Sequence, residues 1–156
     1  FRRRTSLFIK VSVPKLPAET ESFFQFLETE GIHYSFDKKR LLVQNGYVQY
    51  IPEGMPELKG LHIMRSGWFL GELKKKRFEP SGAFARGLTP DVCDKVIAYP
   101  GDSEEVVRYL KCETLQVNPN LKNGWYLICV DEFALGWGKV SNGTLKNKYP
   151  SGWRLV

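Results

Sequence analysis

The sequence predicts an α+β fold in which a small α/β segment precedes a larger domain rich in strands. Two Asn-Gly pairs, at 45–46 and 142–143, lie between apolar runs, which is the pattern of a tight β-hairpin. From Pro119 onward the pattern is that of strands alone, whereas helical spacing of apolar residues occurs before that point. These observations favour short helices combined with hairpins.

The first segment is predicted to span residues 1–57. Residues 7–13 read as a strand that Pro14 ends, and residues 18–30 read as an amphipathic helix that stops at Gly31. The hairpin at Asn45-Gly46 follows. Pro and Gly residues between 52 and 56 then mark a break, and we place the domain boundary there.

The second domain, residues 58–156, is predicted to begin with a strand over 58–71. Four consecutive cations, Lys74 to Arg77, follow between the aromatic residues Trp68 and Phe78. Such a run is compatible with a solvated loop or with a phosphate-binding loop. Helix starts are predicted at Pro80-Ser81, at Thr89-Pro90 and, with capping-box character, at 102–105. The buried face of this last helix is assigned to Val106, Val107 and Leu110.

The end of the chain is predicted to form strands over 125–130, 133–140 and 144–148, with a tight turn at Asp131-Glu132. Gly136 and Gly138 bracket Trp137, and glycine weakens a strand, so they indicate a bulge or a close approach of another backbone. Barrel curvature and room for a nucleotide backbone are both compatible with this pattern.

Composition narrows the class of protein. The 156 residues carry a formal charge of +6, which favours an anionic partner. Cys93, Cys112 and Cys129 show no CxxC spacing and are interpreted as structural thiols in a reducing cytoplasm. No segment approaches the roughly 18 apolar residues of a membrane span. Because the first residue is Phe1 rather than Met, we expect a longer parent protein.

The tail has the chemistry of an RNA-binding surface. No Asp or Glu occurs after Glu132, while lysines and an arginine alternate with Trp137, Tyr149 and Trp153. Cations attract phosphate, and flat rings offer stacking surfaces for unpaired bases. The tail also lacks any carboxylate, His or Cys that could move a proton or attack a substrate.

Three stretches carry a resemblance to a known family. They are Gly67–Ser81 (GWFLGELKKKRFEPS), Gly124–Asp131 (GWYLICVD) and Leu135–Arg154 (LGWGKVSNGTLKNKYPSGWR). Together they resemble the C-terminal region of bacterial RsmF-type RNA cytosine 5-methyltransferases, members of the NOL/NOP/Sun group. The similarity covers roughly residues 58–156, and residues 1–57 resemble the family's connecting segment only loosely.

The resemblance implies that the terminal domain is a PUA-like mixed β-barrel that binds structured RNA. It also implies a parent enzyme with a Rossmann-like catalytic domain that holds S-adenosylmethionine. The family's catalytic cysteines follow Thr and Pro, whereas Cys93, Cys112 and Cys129 follow Val92, Lys111 and Ile128. No catalytic, cofactor-binding or metal-binding role is therefore carried over to this chain, and Glu132 stands where the family's hairpin turn suggests Gly.

The function predicted on these grounds is recruitment of structured RNA, expected to be ribosomal, for a catalytic domain absent from this chain, and this chain itself is predicted not to be an enzyme. Expected partners are rRNA and the parent's own catalytic domain, and no membrane. Phosphate contacts are assigned to cations and stacking to aromatic residues. The predicted RNA-binding residues are Lys74, Lys75, Lys76, Arg77, Trp137, Lys139, Lys146, Lys148, Tyr149, Trp153 and Arg154.

Two alternatives stay open. A protein-docking module would display Trp68 and Phe78 as an apolar patch with few cations around it. A barrel that holds a small ligand would show a closed pocket lined by convergent polar groups. Trp153 is compatible with a stacking platform or a hydrophobic plug, and Trp125, among apolar neighbours, is assigned to the core.

Overall fold

A computed structural model describes residues 20–55 and 67–156 of the chain. The strand predicted over 7–13 and most of the strand predicted over 58–71 lie outside these residues. The described elements, in chain order, are α1 (Glu21–Glu30), β1 (Leu41–Gln44), β2 (Tyr47–Tyr50), β3 (Trp68–Lys74), β4 (Arg77–Pro80), α2 (Gly82–Arg86), β5 (Val96–Tyr99), α3 (Glu104–Leu110), β6 (Leu115–Gln116), β7 (Gly124–Val130), β8 (Phe133–Ser141) and β9 (Thr144–Asn147). Single 3-10 turns occur at Lys38–Arg40, Pro90–Val92 and Ser151–Trp153.

The hairpin turns form where the sequence predicts them. Asn45 and Gly46 have φ of 53° and 79°, and Asn142 and Gly143 have φ of 49° and 75°. Positive φ at both central residues is the type I′ geometry that matches the twist of the flanking strands. These two turns connect β1 to β2 and β8 to β9. The predicted turn at Asp131-Glu132, with φ of 50° at Asp131, connects β7 to β8.

The first sheet is antiparallel, with strand order β1-β2-β3-β4. Residues Tyr47 to Tyr50 of β2 pair with Trp68 to Glu72 of β3. The strands on the two sides of the boundary proposed near residue 57 are therefore hydrogen-bonded neighbours, and that boundary remains a prediction.

The second sheet is mixed, with strand order β5-β7-β8-β9-β6, and it curls into a half barrel. β5 runs parallel to β7, and the other neighbours are antiparallel. The sequence predicted β7, β8 and β9, while β5 and β6 went unpredicted. This combination of helices with a curled mixed sheet confirms the predicted α+β fold.

The helices begin and end largely as predicted, with one correction. Gly31, at φ 69°, ends α1 in the left-handed conformation that favours glycine. The Ser81 hydroxyl caps α2 by accepting a hydrogen bond from the Phe84 N–H at 3.0 Å. Ser103 precedes α3 without a side-chain cap bond. On that helix Val107 is exposed and Tyr109 is buried, because residues 106, 109 and 110 share one face of a helix and 107 does not belong to it.

One apolar core joins the two sheets. Phe23 of α1, Phe84 of α2 and Leu127 of β7 are fully buried and belong to the same cluster as Trp137 of β8. α1 lies against β4 and β7, and α2 lies against β3 and β8, so each helix contacts both sheets. The Trp137 indole N–H donates to the Ser81 carbonyl at 2.9 Å and ties β8 to the start of α2. Both sheets are therefore held in a fixed relation around the helices.

Among the helices in the described residues, none has the length and apolar character required to cross a membrane.

Candidate nucleic-acid interface

The four consecutive cations lie at the tip of the β3–β4 hairpin. Lys74 pairs across the strands with Arg77, and Lys75 and Lys76 form the turn, with φ of 43° at Lys75. All four side chains are exposed. The short turn between the paired strands therefore gathers these four exposed charges at the end of the hairpin.

Part of this positive charge is balanced locally. Lys74 Nζ lies 3.1 Å from Glu79 Oε2 and 3.3 Å from Glu72 Oε2. The hydrogen bond to Glu79, with that to Glu72, raises the pKa of Lys74, and the hydrogen bond from Lys74 lowers the pKa of Glu79. Lys74 is therefore engaged within its own hairpin, whereas Lys76 and Arg77 face a neighbouring groove.

A bulge in the β7–β8 pair decides which side chains face that groove. Ile128 pairs with Gly136 while Cys129 pairs with Ala134, so Leu135 is an extra residue in β8. Beyond the bulge the register is shifted by one, and Trp125 lies opposite Lys139. Directly opposite residues of an antiparallel pair point to the same face. An unbulged hairpin would instead have paired Trp125 with Gly138 and turned Lys139 to the other face.

Trp125 is a half-buried ring at the rim of this sheet. Its centroid lies 6.2 Å from that of Phe26 and 6.5 Å from that of Trp137, with interplanar angles of 73° and 89°. Lys139 Nζ and Lys148 Nζ lie 5.8 Å and 5.5 Å from its ring centroid. Such distances allow cation–π attraction. The ring therefore packs against core residues and has two ammonium groups close to it.

The groove beside Trp125 has a volume of about 270 Å³ and separates the hairpin tip from the second sheet. Its walls are the polar side of α1 (Ser22, Gln25 and Thr29), the hairpin (Lys76, Arg77 and Glu79) and the second sheet (Trp125, Lys139 and Lys148). Four cations and one indole from two of these walls therefore converge on one concave surface. Cations track a phosphate backbone and an aromatic ring accepts a stacked base, so the surface suits a nucleic acid.

A buried ion pair fixes the floor of the groove. Glu30, at the end of α1, is 9% exposed. Its Oε2 accepts hydrogen bonds from Lys95 Nζ at 2.8 Å and from the backbone N–H of Trp125 at 2.9 Å. A carboxylate taken out of water needs charged or hydrogen-bonding partners, and here it has both. Glu30 therefore locks the start of β7 to α1, which holds the indole in place.

The C-terminal aromatics form a second surface. Trp153 is 58% exposed, and the Arg86 guanidinium carbon lies 4.4 Å from its ring centroid. Tyr149 is half-buried between Tyr109 and Trp153, with ring centroids 5.5 Å and 6.5 Å away. We call Arg86, Tyr149 and Trp153 the tail patch. Arg154 beside it is exposed.

Trp137 is corrected from a predicted stacking residue to a core residue. It is 2% exposed, and Phe84 and Trp125 pack against it. A ring with no face open to solvent cannot stack on a base. The flanking glycines make room for protein side chains, because a Cβ at Gly136 would lie 2.6 Å from the Tyr109 hydroxyl and one at Gly138 would meet Leu145. The bulge and the curvature account for these glycines, and no nucleotide backbone is required.

The predicted RNA-binding residues are thus divided among several places. Lys76, Arg77, Lys139 and Lys148 meet in the groove. Lys146 is exposed opposite Lys139 on β9, on the same face but outside the groove, and Lys74 and Lys75 are at the hairpin tip. Phe78 is 4% exposed and Trp68 is half-buried with its N–H donated to the Ala83 carbonyl, so these two rings form no exposed apolar patch of the kind expected for protein docking.

Trp125, Glu79 and Arg86 are the site residues that the sequence analysis missed. Trp125 was assigned to the core because apolar residues follow it in β7. Its place as the second residue of the strand was the available signal, since the end of a strand lies at the rim of a sheet. Nothing local in the sequence indicated that Arg86 covers Trp153 or that Glu79 faces Lys148.

The cysteine thiols do not have the properties of nucleophiles. Burial raises the pKa of Cys129 to about 11, and burial also raises that of Cys93, again to about 11, so both are protonated at neutral pH. Cys112 donates weakly to the Tyr149 carbonyl at 3.8 Å. Within residues 20–55 and 67–156, no three His, Cys, Asp or Glu side chains are placed to hold a metal ion.

Two family models match this chain. Residues 24–88 match the RsmF rRNA methyltransferase first C-terminal domain, and residues 97–155 match the methyltransferase RsmF PUA domain. No curated protein matches the chain. The two matches meet between residues 88 and 97, just before β5, and the groove lies between the matched segments, with Lys76 and Arg77 in the first and Trp125, Lys139 and Lys148 in the second.

Proposed function

Since this chain belongs to the C-terminal region of the RsmF-type rRNA methyltransferases, we propose that it recruits and positions structured ribosomal RNA through the groove around Trp125. The chain would act as an RNA-binding module of an rRNA methyltransferase. Its PUA-like domain would supply one wall of the groove, and the preceding domain would supply the other.

The observation that supports this proposal best is the convergence of Lys76, Arg77, Lys139 and Lys148 around one half-buried indole. These cations come from two different sheets, so their proximity is a product of the fold and not of a local charge run. Phosphate contacts orient an RNA without reading its sequence. Choice of target would then depend on RNA shape and on the rest of the enzyme.

Methyl transfer itself we place outside this chain. The proposed parent enzyme transfers a methyl group from S-adenosylmethionine to a cytosine of rRNA, in the bacterial cytoplasm. The protonated thiols of Cys93 and Cys129 agree with assigning that chemistry to another domain. The contribution of this chain would be to hold the RNA in register with that domain.

The test is a titration of this chain with a ribosomal RNA stem-loop at several salt concentrations. If about four phosphates are neutralised by the groove cations, the log-log slope of affinity against salt should be about −3 to −4. RNA should bind more tightly than a DNA duplex of the same charge, because the RNA offers unpaired bases and A-form shape.

A charge-reversed variant locates the binding surface. Lys139→Glu with Lys148→Glu should weaken binding at least about tenfold and reduce the slope by about 2. The matched control is Lys111→Glu with Lys122→Glu, which makes the same change in net charge away from the groove. Equal losses in the two folded variants would show that the attraction is not localised, and the proposed groove would then be wrong.

A further inference from the structure

We propose that the groove binds an unpaired guanine, with its base stacked on Trp125 and its N–H edge hydrogen-bonded to the Glu79 carboxylate. This proposal rests on the proposed RNA-binding function and adds the kind of nucleotide that the groove takes. It assigns a ligand role to two residues, one aromatic and one acidic, that contribute nothing to phosphate attraction.

The first argument concerns the indole. Trp125 makes edge-type contacts with Phe26 and Trp137, and the ammonium groups of Lys139 and Lys148 lie 5.8 Å and 5.5 Å from its ring centroid. Lysine side chains are flexible and their ammonium groups are strongly hydrated, so a base can displace them from the ring at small cost. The displaced Lys139 and Lys148 would remain beside the base, within reach of its flanking phosphates.

The second argument concerns the carboxylate. Two carboxylates line the groove, and Glu30 is 9% exposed and paired with Lys95. Glu79 is therefore the more accessible acid beside the four groove cations, where it must repel phosphate. Its Oε2 is held by Lys74 at 3.1 Å, while its Oε1 lies 3.9 Å from Lys148 Nζ, too far for a hydrogen bond. Oε1 can therefore accept from a ligand. Lys148 Nζ also lies 5.5 Å from the Trp125 ring centroid, so the same ammonium group is near both Glu79 and Trp125.

The third argument selects the base. An ionised carboxylate only accepts hydrogen bonds, so it favours a base edge that presents donors. Guanine presents two neighbouring donors, at N1 and N2, whereas uracil presents one N–H flanked by two carbonyl oxygens that the carboxylate repels. Cytosine and adenine each present one amino group. Guanine is therefore expected to bind best and uracil worst.

The experiment uses single-stranded oligouridylates with one central position changed to G, A, C or U, and measures their affinity for this chain by fluorescence anisotropy. For the wild-type protein we expect the G oligomer to bind about tenfold more tightly than the all-U oligomer, since one good base contact has about this effect. A stem-loop whose loop contains G should compete, and a fully paired RNA duplex should compete poorly.

Three variants separate the roles of Trp125 and Glu79. Trp125→Leu retains apolar volume without a stacking face and should lose about tenfold in affinity for the G oligomer, whereas Trp125→Phe should recover most of it. Glu79→Gln removes the negative charge while it retains size. It should reduce the preference for G over U to about twofold or less and should strengthen binding of the all-U oligomer. Circular dichroism of each variant confirms that it is folded.

The outcomes are distinguishable. If the wild type prefers G and Glu79→Gln loses that preference, the inference is supported. If RNA binds and Lys139→Glu with Lys148→Glu weakens it, but the central base and Trp125→Leu make no difference, the guanine site is wrong and the proposed function stands. If no RNA binds with dependence on the groove lysines, the proposed function itself fails.

Discussion

The groove and the tail patch both place a cation over a tryptophan ring, yet they differ in what supports that ring. Trp125 packs against Phe26 and Trp137, and its backbone N–H donates a hydrogen bond to buried Glu30. Trp153 stands 58% exposed on a 3-10 turn, with Tyr149 at its edge and Arg86 above it. A cation near a ring is therefore not sufficient to define a binding site.

The difference matters because binding favours surfaces that are already ordered. A side chain fixed in the free protein has less conformational entropy to lose when it contacts a ligand. The groove also receives charge from two of its walls, whereas the tail patch has Arg86 over Trp153 and Arg154 as the next residue of the chain. We therefore expect the groove to dominate RNA binding and the tail patch to modulate it.

The largest expected effect on stability comes from removing the buried Trp137 ring on which Trp125 packs. Trp137→Ala should destabilise the protein by about 3–5 kcal/mol, because it empties a fully buried site and leaves the Ser81 carbonyl without its indole partner. Denaturant unfolding measures the change. Trp153→Ala is the control and should cost about 1 kcal/mol or less, since its ring is mostly solvated. Similar losses would show that the tail patch belongs to the core.

Loss of the Glu30 carboxylate should have the next largest effect. Glu30→Ala leaves Lys95 and the backbone N–H of Trp125 without their shared partner. It should lower the free energy of unfolding by about 3 kcal/mol or more. It should also loosen the Trp125 ring, which the change in tryptophan fluorescence would report. The control, Glu28→Ala, removes an exposed carboxylate from the same helix. An unchanged unfolding midpoint for Glu30→Ala would contradict the anchoring role.

Charge reversal compares the two regions directly. Lys139→Glu with Lys148→Glu should weaken RNA binding at least about tenfold, whereas Arg86→Glu with Arg154→Glu, an equal change in charge, should weaken it only about threefold. The measurement is the dissociation constant for the stem-loop at one fixed salt concentration. If the tail variant is the weaker binder, the preferred surface is the tail patch, and the ranking of the two regions is reversed.

A dependence on acid pH is the smallest expected effect. Lys74 lowers the pKa of Glu79 from its ordinary value of 4.5, so the folded state holds this carboxylate ionised more readily than the unfolded state. The stability that it contributes is complete above pH 4.5 and is lost as the pH falls through the folded pKa. Thermal unfolding between pH 5 and pH 3 should therefore change less in Glu79→Gln than in the wild type. Parallel curves would contradict this coupling.

The local elements could be predicted because their signals are local. Asn-Gly at 45–46 and 142–143 tolerates the positive φ of a type I′ turn, and Gly31 ends a helix for the same steric reason. The failures involved partners distant in sequence. β6 has two residues and exists because it pairs with β9, and the four residues of β5 pair in parallel with β7. Neither strand contains an alternation of apolar and polar residues long enough to be recognised in the sequence.

Local sequence patterns specify the α+β class, the three tight turns and the presence of cations and aromatic rings near the C-terminus. Which of these rings are exposed to solvent depends on the tertiary structure. One extra residue, Leu135, shifts the β7–β8 register, so that Lys139 lies opposite Trp125 at the rim while α2 covers Trp137. A strand's side chains alternate between two faces, so a single inserted residue exchanges which side chains share a face, and residue counting cannot reveal it.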